Sequence, residues 1–211
     1  MTIWLLAIIV FFSSIINGYA EYQDIPENIL KLTAPAEFKI IFETTKGEFE
    51  VQIEKKFSPL AVDRLYQLVQ SDYFTNVIFY RCVPNFVVQF GTLNELLDSA
   101  WSKHIILDEP VKLSNDTGTI SFARAGKNTR GTQLFINLKN NSRLDTVSYG
   151  ETLGFPAFGK VTKGMDIVYK LFMEYGDEPR LKLDGVTKDV EQFIKSKYPK
   201  LDYIKRAYIK K

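Results

Sequence analysis

The alternation of apolar and polar positions predicts a chain built mainly of short strands. In FKIIFETTKGEFEVQIE (38–54), the apolar Phe49, Val51 and Ile53 alternate with polar side chains such as Glu50, and a TKG turn precedes them. This pattern is typical of a hairpin with one dry face and one wet face. Similar short runs, separated mostly by Gly, Asn, Asp and Ser, predict further strands at 78–83, 86–90, 118–123, 133–138, 157–161 and 203–209.

Three stretches have the spacing of helices instead. In SPLAVDRLYQLVQSDYF (58–74) apolar residues recur every three or four positions, with Ser58 placed to cap the helix and Pro59 in its first turn. A second helix is predicted after Gly164, and a third from about Thr187 to Lys197, before Pro199. Many strands with few helices favour a closed barrel or a sandwich.

Length and composition favour one globular domain. The 211 residues are 45% hydrophobic and 25% charged, which is ordinary for a folded protein and excludes extensive disorder. The net charge of +2 and the absence of a long basic run argue against nucleic acid as a partner. No repeat or linker divides the chain into two domains.

The first twenty residues, MTIWLLAIIVFFSSIINGYA, predict a signal peptide. Their apolar core, Ile3 to Phe12, is shorter than a membrane-spanning helix, and the small residues Gly18 and Ala20 fit a cleavage site. We therefore expect an exported protein, periplasmic in a bacterium or secreted or lumenal in a eukaryote. An uncleaved membrane anchor is the competing interpretation, because this segment has no Lys or Arg.

The residues that commonly bind metals or act as nucleophiles are scarce. Cys82 is the only cysteine and His104 the only histidine, so neither a disulfide within the chain nor an ordinary zinc site can form. We expect both side chains to be structural and Cys82 to be buried and inert. No cofactor or metal is expected.

One charge interrupts the apolar stretch FYRCVPNFVVQFG (79–91). A guanidinium is rarely buried without a partner, so Arg81 requires an explanation. It is either half of a structural ion pair or a functional group.

Three stretches together resemble the signatures of the cyclophilins, which are peptidyl-prolyl cis/trans isomerases. They are FYRCVPNFVVQFG (79–91), SFARAGKNTRGTQLFINL (121–138) and LGFPAFGKVTKGMDIV (153–168). The first matches the pattern Phe-x-Arg-x-x-Pro-x-Phe-x-x-Gln-x-Gly, which contains the family's catalytic arginine. The resemblance covers about residues 38 to 176. Within the family, the chain resembles the bacterial, exported members.

The resemblance implies a mainly β fold, a closed eight-stranded antiparallel barrel capped by two helices. The helix near 187–197 would be an addition before the last strand. The implied organisation is a signal peptide at 1–20, an N-terminal lead at 21–37 and the isomerase domain at 38–211. We expect a monomer that acts on proline-containing segments of unfolded or exported proteins, with no membrane contact once the signal is removed.

The resemblance also implies the site. The catalytic residues would be Arg81, Gln89 and Phe86. Gln89 would hydrogen-bond the substrate or orient Arg81, and Phe86 would help to hold the proline ring. The substrate-binding residues would be Val87, Ala123, Arg124, Ala125, Gln133, Phe135, Leu144 and Phe155.

Three positions depart from the family pattern. Val87 stands where a methionine is usual, and two other departures matter more. Arg143 stands where a tryptophan is common, and Phe155 stands where a groove histidine is common. These changes keep open a non-catalytic module that binds proline or acts as a chaperone through the same groove. The apolar site residues could also be ordinary core, and a plain secreted barrel with an unrelated ligand would require the three motifs to coincide by chance.

Overall fold

The computed structural model describes residues 24–149, 151–183, 186 and 189–211, so the predicted signal peptide lies outside the described residues. Strands dominate this part of the chain. They are β1 (Glu37–Thr44), β2 (Gly47–Glu54), β3 (Val77–Ile78), β4 (Arg81–Val83), β5 (Val87–Phe90), β6 (Thr119–Phe122), β7 (Leu134–Asn137), β8 (Ser148–Tyr149), β9 (Thr152–Leu153), β10 (Ala157–Lys163) and β11 (Tyr203–Ile209).

Nine of these strands form one curled antiparallel sheet in the order β3-β11-β1-β2-β10-β6-β7-β5-β4, and β8 pairs with β9 separately. The sheet has nine strands rather than the predicted eight, because the stretch predicted as one strand at 78–83 forms both β3 and β4. These two strands stand at opposite ends of the sheet, although only Phe79 and Tyr80 separate them along the chain. Among the described strands, no hydrogen-bonded pairing joins β3 to β4.

The helices are short, except for the one that was predicted to follow Ser58. They are α1 (Glu27–Leu30), α2 (Pro59–Gln70), α3 (Glu95–Ser102), α4 (Met165–Tyr169), α5 (Glu178–Leu181) and α6 (Val190–Lys197), with a 3-10 turn at Ser142–Asp145. The helices predicted after Ser58, after Gly164 and before Pro199 are confirmed as α2, α4 and α6, although residues 187 and 188 lie outside the described residues. No helix in the described part of the chain is both long and apolar enough to cross a membrane.

The predicted hairpin at 38–54 is confirmed, but its wet face is only partly wet. Gly47 has a φ of +128°, which glycine adopts without strain at the turn. Glu50 was expected to face solvent and is instead 2% exposed. Lys39 and Lys210 donate to its two carboxylate oxygens at 2.9 and 2.5 Å, which compensates the buried charge.

The main core lies between the sheet and α2, and phenylalanine rings fill much of it. Phe42 stacks on Phe49 at 5.0 Å between centroids and contacts Phe74 and Phe90 edge to face. Offset and edge-to-face pairs of this kind add to the free energy gained by burial. This core supports the strands whose other faces form the site.

A second hydrophobic cluster lies where the C-terminal segment packs on the sheet. Ile194 and Tyr198 from the α6 region pack against Ile78 and Tyr80. The same segment is tied to β4, because Cys82 donates its backbone N–H to the carbonyl of Gly176 at 3.2 Å. The additional helix therefore belongs to a layer that covers the strand carrying Arg81.

Candidate active site

A groove of about 730 Å³ runs along the outer face of β4, β5 and β7. All eleven residues predicted for the site line it, so the structure brings the whole predicted set together. They are Arg81, Phe86, Val87, Gln89, Ala123, Arg124, Ala125, Gln133, Phe135, Leu144 and Phe155.

Strand register explains why residues far apart in sequence meet here. Arg81 on β4 pairs with Gln89 on β5, and Gln89 pairs in turn with Phe135 on β7. Directly paired residues point to the same face of a sheet. One row across three strands therefore carries the charged group, its amide neighbour and an aromatic ring.

The apolar part of the groove is a small cluster, which we call the slot. Val87, Phe135 and Leu144 are buried, and Phe86 and Phe155 pack against them. The rings of Phe135 and Phe155 meet edge to face at 5.8 Å. These residues pack with one another rather than with the main core, and they line the groove, so they are not ordinary core.

Arg81 takes part in an ion pair and also faces the groove. Its Nε donates to Asp177 Oδ1 at 2.5 Å, and its Nη1 donates to Gln89 Oε1 at 3.1 Å. Its guanidinium carbon lies 5.5 Å from the ring centroid of Phe86. The two interpretations left open for Arg81 are thus compatible, because the ion pair uses the Nε edge of the guanidinium while Arg81 still lines the open groove.

Asp177 is shared between two arginines. It also accepts from Arg180 Nε at 2.9 Å. Burial alone would raise the pKa of Asp177, but hydrogen bonds from Arg180 and Arg81 hold that pKa below its ordinary value. The carboxylate is therefore ionised at neutral pH and holds the Arg81 side chain in place.

Gln89 links Arg81 to a buried tyrosine. The amide Nε2 of Gln89 donates to the Tyr80 hydroxyl at 2.6 Å, while its Oε1 accepts from Arg81. Burial raises the pKa of the Tyr80 phenol well above its ordinary value, so the hydroxyl stays protonated. Gln89 consequently orients Arg81.

Two of the predicted substrate-binding residues, Arg124 and Gln133, are held in place by polar contacts. The side chain of Arg124 is fully buried, donates to the Gly154 carbonyl and lies 3.2 Å from Asp108. Gln133 donates to the Thr92 carbonyl at 2.9 Å. Its amide group occupies the space beside Gly91, so a Cβ at that position would displace the end of the Gln133 side chain.

Several groove residues were missed from the sequence. Asp177 and Tyr80 hold Arg81 and Gln89, and Trp101 and Thr132 line the far end. Tyr80 could have been noticed, because a tyrosine interrupts the apolar run directly before Arg81. Asp177 carries no local signal, since 96 positions separate it from Arg81.

The single cysteine and the single histidine differ in their surroundings. Cys82 is 2% exposed, and burial raises the pKa of its thiol to about 12, which confirms the expected inert side chain. His104 lines the groove. Its backbone carbonyl accepts from Arg64, and its Nε2 lies 3.5 Å from Asp24 Oδ1.

Comparisons with known proteins agree with this geometry. A scan against family models matches residues 39–190 to "Cyclophilin type peptidyl-prolyl cis-trans isomerase/CLD". The chain is 33% identical over 140 residues to peptidyl-prolyl cis-trans isomerase A of Dickeya dadantii, covering 63% of this chain and 70% of that protein. It is 32% identical over 136 residues to peptidyl-prolyl cis-trans isomerase-like 1 of Aspergillus fumigatus, covering 63% of this chain and 80% of that protein.

Among solved structures, a cyclophilin-type isomerase from Cryptosporidium parvum has a similar fold. The two structures match with a TM-score of 0.58 at 22% sequence identity. The match covers 83% of this chain and 98% of the other. The same protein has been crystallised in the presence of the dipeptide Ala-Pro. The chain belongs to the cyclophilin-type peptidyl-prolyl cis-trans isomerase family, whose enzymes rotate the bond that precedes proline.

Proposed function

We propose that this isomerase accelerates X-Pro rotation in proteins that are folding after export, with Arg81 as the catalytic donor. The observation that carries the assignment of Arg81 is its position at the edge of the slot. Arg81 and the slot residues Phe86 and Phe135 line one groove, and Asp177 and Gln89 fix two arms of the guanidinium.

The reaction requires no nucleophile, because no covalent bond breaks. Rotation is opposed by a barrier of about 20 kcal/mol that arises from amide resonance. Half-way through the rotation the prolyl nitrogen regains its lone pair, and a donor aimed at this nitrogen binds the twisted amide better than either planar isomer. In this proposal the slot holds the proline ring and Arg81 donates.

The required acceleration is larger than one hydrogen bond supplies. Unaided rotation takes on the order of 10 to 100 s, and reaching milliseconds requires about 10⁴-fold, or about 5.5 kcal/mol. A hydrogen bond to a charged group contributes about 1.5 to 3 kcal/mol. Fixing the ring in the apolar slot must provide the remainder.

A peptide isomerisation assay tests the role of Arg81. We expect Arg81→Ala to lower kcat/KM by on the order of 10²-fold, because it removes both the charge and the donor. Arg81→Lys keeps the charge but loses the planar set of N–H donors of the guanidinium, so it should recover only part of the rate. If Arg81→Ala turned over like the unaltered protein, Arg81 would be only a structural partner of Asp177.

The same comparison distinguishes the enzyme from a proline-binding module. Binding of a proline peptide can be followed by the chemical shifts of slot methyl groups, such as those of Val87 and Leu144. An unaltered protein that shifts these resonances but leaves the isomerisation at its spontaneous rate would be the non-catalytic module.

Export is the second part of the proposal. It is supported by the apolar run Ile3 to Phe12 followed by the small residues Gly18 and Ala20. We expect the full chain, expressed in a bacterium, to be recovered from the periplasm with its mature N-terminus at Glu21. A chain that retains Met1 in the cytoplasmic membrane fraction would instead be anchored.

A further inference from the structure

Arg143 lies at the rim of the slot, and its backbone is fixed there. The 3-10 turn that carries it begins after Asn141, whose Nδ2 donates to the backbone carbonyl of Phe86 at 2.8 Å. The next residue, Leu144, is buried in the slot. Arg143 therefore lies in a turn in which Asn141 and Leu144 are buried, and these two residues tie the turn to the slot wall.

The side chain of Arg143 lies over the ring of Phe86. Its guanidinium carbon is 4.9 Å from the ring centroid, compared with 5.5 Å for Arg81. An attraction between a cation and an aromatic face of this kind holds an exposed arginine in place without neutralising its charge. Two guanidinium groups thus share one ring at the edge of the slot.

The arginines that line the groove differ from Arg143 because each has a carboxylate partner. Arg81 pairs with Asp177 at 2.5 Å, and Arg130 lies 3.1 Å from Glu109. In the part of the chain that the structure describes, no carboxylate lies within ion-pair distance of Arg143.

The acidic residue nearest to Arg143 along the chain is also occupied. The carboxylate of Asp145 accepts from the Ser114 hydroxyl at 2.5 Å and from the backbone N–H of Asn115 at 2.8 Å. The fixed positive charge on the slot rim is therefore left for a substrate.

We propose that Arg143 makes the enzyme prefer proline segments with a carboxylate on the residue directly before or after the proline. The residues that flank a proline held in the slot have Cα atoms about 3.8 Å from the proline Cα across a trans bond. Arg143 lies over Phe86, which belongs to the slot. A long acidic side chain can then reach the guanidinium and form a charge-assisted hydrogen bond. This preference rests on the proposed role of the slot in isomerisation.

The test uses short peptides in two sets, with Glu, Gln or Lys directly before the proline in one set and directly after it in the other. Exchange NMR measures kcat/KM for each peptide without an auxiliary protease. Because the contact is exposed, we expect Glu to exceed Gln by about three- to fivefold and Gln to exceed Lys in at least one set. The preference should nearly vanish in about 1 M salt, where the screening length is about 3 Å.

Variants of Arg143 assign the effect to this side chain. Comparing each peptide between the unaltered protein and the variant cancels the intrinsic differences among peptides. Arg143→Gln should remove the preference, Arg143→Glu should reverse it, and Arg143→Lys should retain most of it. The matched control is Lys205→Gln, an exposed change of the same charge on β11 outside the groove, which should leave the preference intact.

Two results would overturn the inference. Equal rates for Glu, Gln and Lys peptides in both sets would show a site that does not sense charge, and an ordering that survives Arg143→Gln would place the sensor elsewhere. The Gln peptides report isomerase activity without a substrate charge. An inactive protein, which would contradict the proposed function, is therefore distinguished from an active enzyme without the preference.

Discussion

At the scale of residues, the guanidinium of Arg81 depends on two side chains that hold it, Asp177 and Gln89. An arginine side chain loses about 2 kcal/mol of rotamer entropy when it is fixed, and Asp177 and Gln89 fix this one before a substrate arrives. Preorganised donors of this kind stabilise a transition state without reorganisation during the reaction.

We therefore predict that Asp177→Ala lowers kcat by on the order of tenfold with a smaller change in KM, because a guanidinium that must be ordered in each turnover is a weaker donor. Asp177→Asn, which can still accept from Nε, should lose less. The line width of the Arg81 Nε–H resonance reports the ordering directly and should change in Asp177→Ala.

The matched control is Asp166→Ala, which removes an exposed carboxylate paired with Lys170 at 2.9 Å outside the groove. It should leave kcat unchanged. Equal kcat values for Asp177→Ala and the unaltered protein would mean that Gln89 and the Phe86 ring suffice to hold Arg81.

The sequence predicted the groove residues well, because motif positions such as Arg81, Phe86 and Gln89 carry strong residue preferences close together. It could not predict Asp177 or the partner of Arg124, since those contacts join segments far apart in the chain. Arg124 and Asp108 illustrate this, because only the folded loop brings them to 3.2 Å. Long-range polar partners leave no periodicity in the sequence.

At the scale of elements, the first turn of α2 has a different cap from the one expected. Ser58 makes no side-chain capping hydrogen bond. Its hydroxyl donates to Glu109, and it is Glu109 that accepts from the backbone N–H groups of Leu60 and Ala61 at 2.9 and 3.2 Å. A carboxylate at a helix N-terminus satisfies free donors and complements the helix dipole.

Glu109 also pairs with the buried Arg130, so it joins α2 to the floor of the groove. We predict that Glu109→Ala lowers the free energy of unfolding by about 3 kcal/mol, because it leaves a buried guanidinium without a main partner. Urea unfolding monitored by tryptophan fluorescence measures this change.

An exposed pair provides the comparison. Glu151 lies 3.2 Å from Lys127, and both side chains are largely in solvent. Glu151→Ala should cost less than about 1 kcal/mol. Similar losses for the two variants would contradict the claim that Glu109 anchors the helix.

The pattern of the sequence predicted the strands better than the short helices. Alternation of apolar and polar residues indicated β2, the strand-like run before it predicted β1, and the stretch YIKRAYI at 203–209 predicted β11. Helix α3, over Glu95–Ser102, was missed, although α6 has the same length and was predicted. Pro199 marked the end of α6, whereas no proline or glycine directly follows α3. The break between β3 and β4 was also missed, since Phe79 and Tyr80 are aromatic residues of a kind common within strands.

At the scale of the whole molecule, the C-terminal segment contacts the rest of the fold in two ways. Strand β11 lies between β3 and β1 in the main sheet, while the layer before it places Asp177 on Arg81 and packs Tyr198 near Tyr80. The sequence showed that this segment forms a helix and a strand. It could not show that the segment supports Arg81, because this contact depends on how segments far apart in the chain fold together.

Glu50 connects the same C-terminal end to the centre of the sheet. From β2 it accepts from Lys39 on β1, from Thr162 on β10 and from Lys210 beyond β11. These hydrogen bonds, chiefly those of Lys210 and Lys39, lower the pKa of the Glu50 carboxyl from 4.5 to about 2.

A carboxyl whose pKa is lower in the folded state stabilises that state fully above its unfolded pKa and loses the effect as pH falls towards the folded pKa. We therefore predict that Glu50→Gln lowers the urea midpoint at pH 7, and that its difference from the unaltered protein shrinks between about pH 4.5 and 2. Glu48→Gln, an exposed change on the same strand, should show a smaller difference at pH 7. A Glu50→Gln difference that stays constant through this range would mean that the carboxylate contributes by packing rather than by charge.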